Sequence, residues 1–234
     1  MKEIRIKSFT EFHETLEPYQ RSNLWLFRGH SNPEWELIPK AGRQPYINSN
    51  DEVNFNGWLR RAVEFTDLSK LDMWDSLAVA QHHGLATRLL DWSYNALSAA
   101  FFAVSEGHET DAVVFAYYSK WYVRRDEATP FEYEGVIRFK PKGVAQRITR
   151  QGGIFTVHSP PDLSLNRGLR PEDTLEKLII DKSYTKQLSF DLSFYGINKM
   201  TLFPDLDGLA AHINWAAANR NFWAEAGEEQ ANKD

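Results

Sequence analysis

The chain has 234 residues, a formal net charge of −5 and no cysteine. This length can bury a sizeable core without covalent staples, and the lack of cysteine excludes disulfides, thiolate metal sites and cysteine nucleophiles. The negative charge gives no support for wholesale nucleic-acid binding. No apolar run approaches the roughly 18 residues of a membrane helix, and no signal-peptide pattern opens the chain, so the sequence predicts a cytoplasmic protein without membrane contact.

Helical patterns dominate the first half of the chain. Ser8 is a candidate N-cap for a helix limited by Pro18, and Gly84 is a candidate end for a later helix. Between them an apolar run closed by Gly29 predicts a buried strand, and a proline-rich stretch predicts a loop. In chain order the sequence predicts a strand at 24–29, a loop at 31–45, helices at 51–68 and 72–83, a strand at 89–92 and a buried helix at 96–106.

Short strands recur in the second half, and two helices follow them. The predicted strands are 112–118, 136–139, 154–157 and 178–180, and the predicted helices are 184–195 and 206–219. Helices first and strands later favour an α+β fold, with a small, mostly antiparallel sheet or sheets packed by helices, over a doubly wound parallel sheet. We expect a single domain over residues 1–226 and a polar tail over 227–234. Trp215, on the last predicted helix, is expected to be buried in the core of the protein.

The densest polar cluster is the segment 81–93, with the sequence QHHGLATRLLDWS. It lies between two apolar helices, where polar groups must find partners or a ligand. The simpler interpretation is a structural Arg88–Asp91 ion pair and a hydrogen-bonded core histidine at His82. His82 and His83 are adjacent and not four residues apart, so the spacing does not indicate a metal site.

Arg28 is the second candidate, because it ends an apolar strand and precedes Gly29. Glycine lets a backbone approach a ligand closely, and the guanidinium offers a planar fork to phosphate or carboxylate. A structural arginine paired with Asp91 is the alternative. If both candidates serve one site, Arg28 and His82 must lie in one cleft.

Four blocks of sequence resemble the FRG-domain family, which takes its name from a Phe-Arg-Gly tripeptide. The tripeptide is Phe27-Arg28-Gly29, and the longest block runs from residue 77 to residue 104. Further blocks lie at 147–155 and 196–209. Ala86 and His83 are small departures from the family pattern. The resemblance implies a bacterial or phage protein, with a toxin or immunity role as the expected setting, and it does not name a reaction.

The order of these blocks has a weaker resemblance to the ADP-ribosyltransferase fold, which implies NAD as substrate. In that fold an aromatic-Arg-Gly strand comes first, a strand with hydroxyl residues leads into a buried helix, and a third strand brings a Glu or another polar residue. The third position is Gln151 or Glu176 here. The roles that the resemblance implies are catalytic for Arg28, His82 and that third residue, and substrate-binding for Gly29, Gln81, Thr87, Arg88, Asp91, Trp92, Ser93 and Tyr94.

Three functions stay open at this point. The first is an NAD-dependent ADP-ribosyltransferase or NAD-cleaving effector, with a protein or nucleic acid as the acceptor. The second is a module that binds a nucleotide or nucleic acid without catalysis. The third is a nuclease that uses His82 or His83 with Asp91.

Overall fold

A computed structural model describes residues 1–107, 109–142 and 153–219. Within these residues the strands are β1 (Lys2–Ile6), β2 (Trp25–His30), β3 (Leu89–Ser93), β4 (Ala112–Tyr118), β5 (Gly135–Phe139), β6 (Gly153–Ser159) and β7 (Thr174–Ile180). The helices are α1 (Phe9–Leu16), α2 (Asp51–Ala62), α3 (Met73–His82), α4 (Ala96–Val104), α5 (Leu165–Gly168), α6 (Lys182–Phe194), α7 (Lys199–Leu202) and α8 (Leu206–Ala218). Short 3₁₀ turns lie at Glu17–Arg21 and Lys40–Gly42.

All seven strands belong to one sheet with the order β1-β7-β4-β2-β3-β6-β5. The β1–β7 pair is parallel and the other neighbouring pairs are antiparallel. The predicted α+β class with a mostly antiparallel sheet packed by helices is therefore confirmed. The order places the two sequence blocks that contain Arg28 and Asp91 on adjacent strands.

Of all the neighbouring strands in the sheet, β2 and β3 share the fewest paired residues. These two strands share the single register pair Phe27↔Ser93, whereas β2 pairs with β4 from Trp25 to His30 and β3 pairs with β6 from Leu89 to Ser93. Beyond the shared pair the two strands separate. The sheet thus consists of two well-paired parts with a gap between them, and the gap is flanked by Arg28 on one side and Asp91 on the other.

Helix α4 covers one face of the sheet where β2 meets β3. It is apolar nearly all round, as predicted for a buried helix. Asn95 caps its first turn by accepting hydrogen bonds from the backbone amides of Leu97 and Ser98. The helix touches β2 directly, because a Cβ atom built on Gly29 would lie 1.9 Å from the carbonyl oxygen of Ala99. Gly29 is therefore needed for close packing of the strand against the helix.

Helices α2 and α3 cover the β3–β6–β5 part of the sheet. Phe55 and Trp74 are buried there against Phe139 and Phe155, and they form a core separate from the one under α4. Asp72 caps α3 by accepting from the amide of Asp75, and Gly84 ends the segment with a φ of +92°, a conformation that favours glycine. These residues define the two ends of α3, whose last turn contributes Gln81 and His82 to the gap.

Several sequence expectations need correction. The helix predicted to reach residue 68 ends at Ala62, and Phe65 beyond it is 85% exposed. Trp215 is only partly buried, against Phe190 and His212, and so is not a core residue. Strand β1 and the one-turn helices α5 and α7 were not predicted from the pattern; in β1 the charged residues Lys2, Glu3 and Arg5 mask the short apolar signal.

Candidate functional site

A cavity of about 440 Å³ occupies the gap between β2 and β3. Its walls come from β2, β3, the end of α3, one side of α4 and the loop after β2. A volume of this size suits a nucleotide-sized ligand. Pairing at Phe27↔Ser93 closes one end of the gap, and the separation of the strands leaves room for polar side chains beyond it.

Arg28 lies at the centre of the cavity and is held from both sides of the gap. Its Nε donates to Nε2 of His30 at 3.0 Å, and its Nη1 donates to the backbone carbonyl of Asp91 at 2.7 Å. Nη1 also lies 3.8 Å from the Asp91 carboxylate. Among the residues that the structure describes, none accepts a hydrogen bond from Nη2. The guanidinium is thus fixed in place with a donor group left for a ligand.

Two arginines that lie close to each other, Arg28 and Arg43, line the cavity. The pKa of Arg28 is lowered to about 10, chiefly by burial; Asp91 acts in the opposite direction, and the nearby Arg43 adds a smaller lowering. Burial also lowers the pKa of Arg43. Both groups stay protonated at neutral pH, because an arginine guanidinium is not deprotonated in proteins. Arg28 and the exposed Arg43 together offer an anionic ligand two charged hydrogen-bond donors.

His30 is the buried neighbour that stays neutral. Burial, together with the charges of Arg28 and Arg43, lowers the pKa of the imidazole to about 3, and a backbone contact with Trp35 acts weakly in the opposite direction. The ring packs edge-on against Phe115 and Trp35. At neutral pH it therefore serves as a hydrogen-bond acceptor for Arg28 and carries no charge.

Aromatic and acidic groups complete the cavity walls. Trp35 is 52% exposed; Phe102 and Trp92 also belong to the lining, although Trp92 is only 3% exposed. The side chain of Asp91 is 64% exposed, and Glu106 at the end of α4 adds a second carboxylate. The cavity thus offers aromatic surface, cations and carboxylates to one ligand.

The structure brings together many of the residues that the sequence singles out. Arg28 and His82 line the same cavity, as expected for one shared cleft. The other predicted residues in the lining are Gly29, Gln81, Asp91, Trp92 and Ser93. Thr87 stands outside the lining and contacts the side chain of Gln81. Tyr94 also lies outside it, with its hydroxyl 3.5 Å from that of Tyr122.

Arg88 is placed as a structural residue. It is buried and donates from Nε and Nη2 to the two carboxylate oxygens of Asp51, at 2.8 and 2.7 Å. Its guanidinium also lies over the ring of Phe131. The suggested Arg88–Asp91 ion pair is therefore wrong: Arg88 pairs with Asp51 on α2, and Asp91 lies beside Arg28.

The candidates for the third catalytic position are not brought into the cavity. Glu176 lies on β7, two strands from β2, and accepts a hydrogen bond of 2.5 Å from the hydroxyl of Tyr19. Its register partner is Ala116, whose own partner is Phe27, so its side chain is on the opposite face of the sheet from that of Arg28. Gln151 lies outside the described residues.

Sequence reasoning missed His30, Trp35 and Arg43 as members of the cavity. The available signal was position: His30 follows the Phe-Arg-Gly tripeptide at the end of β2, and Trp35 and Arg43 lie in the proline-rich loop region after it. A loop that leaves the end of a buried strand returns across that end, and functional residues concentrate on such loops. Within residues 1–107, 109–142 and 153–219, no group of three or more His, Asp or Glu side chains is placed to hold a metal ion.

The chain has an α+β fold with a gap in a mostly antiparallel sheet and an arginine-lined cavity in that gap. Residues 23–112, from just before β2 to the first residue of β4, match the family model of the FRG domain. With the exception of Phe155, all the residues that line the cavity fall within the matched segment. Neither a curated protein nor a solved structure matches the chain significantly. In the described part of the chain, none of the helices has the length and apolar character needed to cross a membrane.

Proposed function

We propose that the cavity binds a nucleotide through its phosphate groups, with NAD as the first ligand to test. The observation that carries the proposal is the pair of neighbouring cations, the largely buried Arg28 and the exposed Arg43, with Nη2 of Arg28 left for a ligand. Arginine forks match phosphate oxygens in pairs, and the surrounding protein strengthens these contacts by excluding water.

The rest of the cavity favours a nucleotide over a bare phosphate. About 440 Å³ is far more space than one phosphate fills. Trp35 and Phe102 offer ring surfaces for stacking a base or a nicotinamide, and stacking against aromatic rings accepts any planar ring. NAD combines both features, since two rings flank its pyrophosphate. The weaker resemblance of the sequence to ADP-ribosyltransferases supports the same choice.

Cleavage of NAD is the second candidate function, and the exposed carboxylate of Asp91 favours it. In this reaction the bond between ribose and nicotinamide breaks and its electrons pass to nicotinamide. A carboxylate in the cavity stabilises the positive charge that develops on the ribose. Water, or a nucleophile of a protein or nucleic-acid acceptor, then bonds to the ribose carbon. His82 also lines the cavity, and in this proposal it takes the proton released in that step.

Binding is tested by isothermal calorimetry with NAD, ADP and inorganic pyrophosphate. We expect the wild type to bind NAD and Arg28→Ala to lose at least tenfold in affinity, because two charge-assisted hydrogen bonds disappear. Arg60→Ala is the matched control, an exposed arginine on α2 outside the cavity. A folded wild type that binds none of the three compounds would overturn the proposed site.

Cleavage is tested separately by nicotinamide release from NAD. Asp91→Asn retains the shape of the side chain and removes its charge, so we expect binding to persist while release is lost. Equal release by Asp91→Asn and wild type would remove Asp91 from the reaction. Binding without any release would leave a nucleotide-binding module as the function of the cavity.

A further inference from the structure

We propose that His30 is a positioning residue, which sets the orientation of the Arg28 guanidinium for ligand binding. The role in ligand binding rests on the proposed function. The contact between the side chains of His30 and Arg28 does not depend on any ligand. His30 follows the Phe-Arg-Gly tripeptide directly and lies two residues from Arg28, so both side chains leave β2 on the same face.

The hydrogen bond between the two side chains has one possible direction. A guanidinium has no acceptor, so Nε of Arg28 donates and Nε2 of His30 accepts over 3.0 Å. Nε2 therefore carries no hydrogen, and the neutral ring carries its hydrogen on Nδ1. Protonation of Nε2 would remove the acceptor and place two cations side by side.

The surroundings of His30 maintain this state. The residue is 6% exposed, and the ring packs between Phe115 and Trp35 at centroid distances of 5.3 and 6.1 Å. Arg28 and Arg43 both oppose a further positive charge on the ring. Packing thus holds the neutral Nε2 of His30 within hydrogen-bond distance of Nε of Arg28.

The two hydrogen bonds of the Arg28 guanidinium together determine the direction in which Nη2 points. His30 holds Nε from the strand on which both residues lie, and the carbonyl of Asp91 holds Nη1 from across the gap. With two of the three nitrogens fixed, the planar group cannot rotate, and Nη2 keeps one direction. A preoriented donor loses less entropy on binding than a freely rotating one.

The test uses a pair of substitutions that separates acceptor from volume. His30→Phe keeps a ring for the packing against Phe115 and Trp35 but has no acceptor. His30→Gln replaces the acceptor near the position of Nε2. We expect His30→Phe to weaken NAD binding about tenfold and His30→Gln to restore most of it. In an Arg28→Ala background, neither substitution should weaken binding further.

Nuclear magnetic resonance gives a second readout that needs no ligand. In wild type at pH 7 we expect the Nδ1–H tautomer of His30 and a slowly exchanging Nε–H of Arg28; the latter signal should be lost in His30→Phe and kept in His30→Gln. An Nε2–H tautomer, or an unchanged Arg28 signal in folded His30→Phe, would overturn the inference even if NAD binds. A wild type that shows both signals but binds no NAD would instead count against the proposed function.

Discussion

The Nη1 group of Arg28 donates a 2.7 Å hydrogen bond to the backbone carbonyl of Asp91, across the gap in the sheet. One residue earlier on β2, Phe27 still pairs with Ser93 as in an ordinary antiparallel ladder. Arg28 therefore takes over as a side-chain link where the backbone pairing stops. The same side chain joins the two parts of the sheet and presents a cation to the cavity.

The partner of Arg28 is a carbonyl, and this makes two substitutions differ in their effect on stability. Asp91→Ala keeps the carbonyl and removes only an exposed carboxylate at 3.8 Å, so we expect the free energy of unfolding to change by less than about 0.5 kcal/mol. Arg28→Lys has a single terminal nitrogen, cannot reach His30 and Asp91 together, and should cost about 1–2 kcal/mol. Urea unfolding measures both values. Equal losses in the two variants would contradict the carbonyl link.

Gly29 packs against α4 with no room for a side chain. A Cβ at this position would lie 1.9 Å from the carbonyl oxygen of Ala99 and 2.6 Å from the amide nitrogen of Ala103. Since both atoms are backbone, α4 must move, and we expect Gly29→Ala to cost about 3 kcal/mol or more. Gly57→Ala is the matched control, because nothing lies within 4 Å of that Cβ on α2.

The control substitution should act in the opposite direction. Gly57 lies inside a helix, where alanine is favoured by about 0.5–1 kcal/mol, so Gly57→Ala should raise the melting temperature. Thermal unfolding followed by circular dichroism measures both variants. If Gly29→Ala melted with the wild type, the close approach of β2 and α4 would be wrong.

The buried pair of Arg88 and Asp51 connects β3 to the first turn of α2. Asp51→Ala leaves the guanidinium buried without its carboxylate, and we expect a loss of about 3–5 kcal/mol in the free energy of unfolding. Glu52→Ala removes a neighbouring exposed carboxylate and should change stability little. Denaturant titration of both variants is the measurement. A mild effect of Asp51→Ala combined with lost NAD binding would return Arg88 to the ligand site.

Local patterns were sufficient to predict most of the elements. The Ser8, Asp72 and Asn95 caps act through single side chains on nearby amides, and the strand at 112–118 is one continuous apolar run, so neighbouring residues decide both. Strand β1 was missed because its place depends on a distant partner: it pairs with β7, more than 170 residues later in the chain. A short charged segment does not carry that information.

Only part of the candidate site could be predicted, because local sequence again carries no information about distant partners. Arg28 and Asp91 stood out by residue type and local context, and the strand order then placed them face to face. The partners of Arg88 and Glu176 depend on long-range packing, since Asp51 and Tyr19 come from other elements. Arg43 has no local pattern that marks it, and only the return of the loop across β2 brings it near Arg28.

His158 makes the stability of the protein depend on pH. It is fully buried, its Nδ1 donates to the carbonyl of Leu163 at 2.6 Å, and its Nε2 accepts from the hydroxyl of Thr156 at 2.9 Å. The Thr156 hydroxyl in turn accepts from the indole N–H of Trp92. Both ring nitrogens are thus occupied in the neutral form, and a proton on Nε2 would reverse the hydrogen bond with Thr156 and leave the hydroxyl hydrogen of Thr156 without its acceptor.

Burial, with a smaller effect from the charge of Arg28, lowers the pKa of His158 to about 4, although the Leu163 carbonyl acts in the opposite direction. In the unfolded chain a histidine has a pKa of about 6.5. Between these two pKa values the unfolded state binds more protons than the folded state. The contribution of His158 to the free energy of unfolding is therefore complete above about pH 6.5 and is lost as the pH falls toward 4. His30, with its pKa lowered to about 3, acts in the same direction.

His158→Asn isolates this contribution, because the amide can donate to Leu163 but does not titrate. We expect the variant to be less stable at pH 7, with a shallower loss of stability between pH 6.5 and 4.5, by up to about 1.4 kcal/mol per pH unit. The exposed His13 provides the control, and His13→Asn should leave the wild-type slope unchanged. Urea unfolding at several pH values gives the slopes. If His158→Asn kept the wild-type slope, His158 would not be neutral in the folded protein, and the chain of hydrogen bonds from Trp92 to Leu163 would run differently.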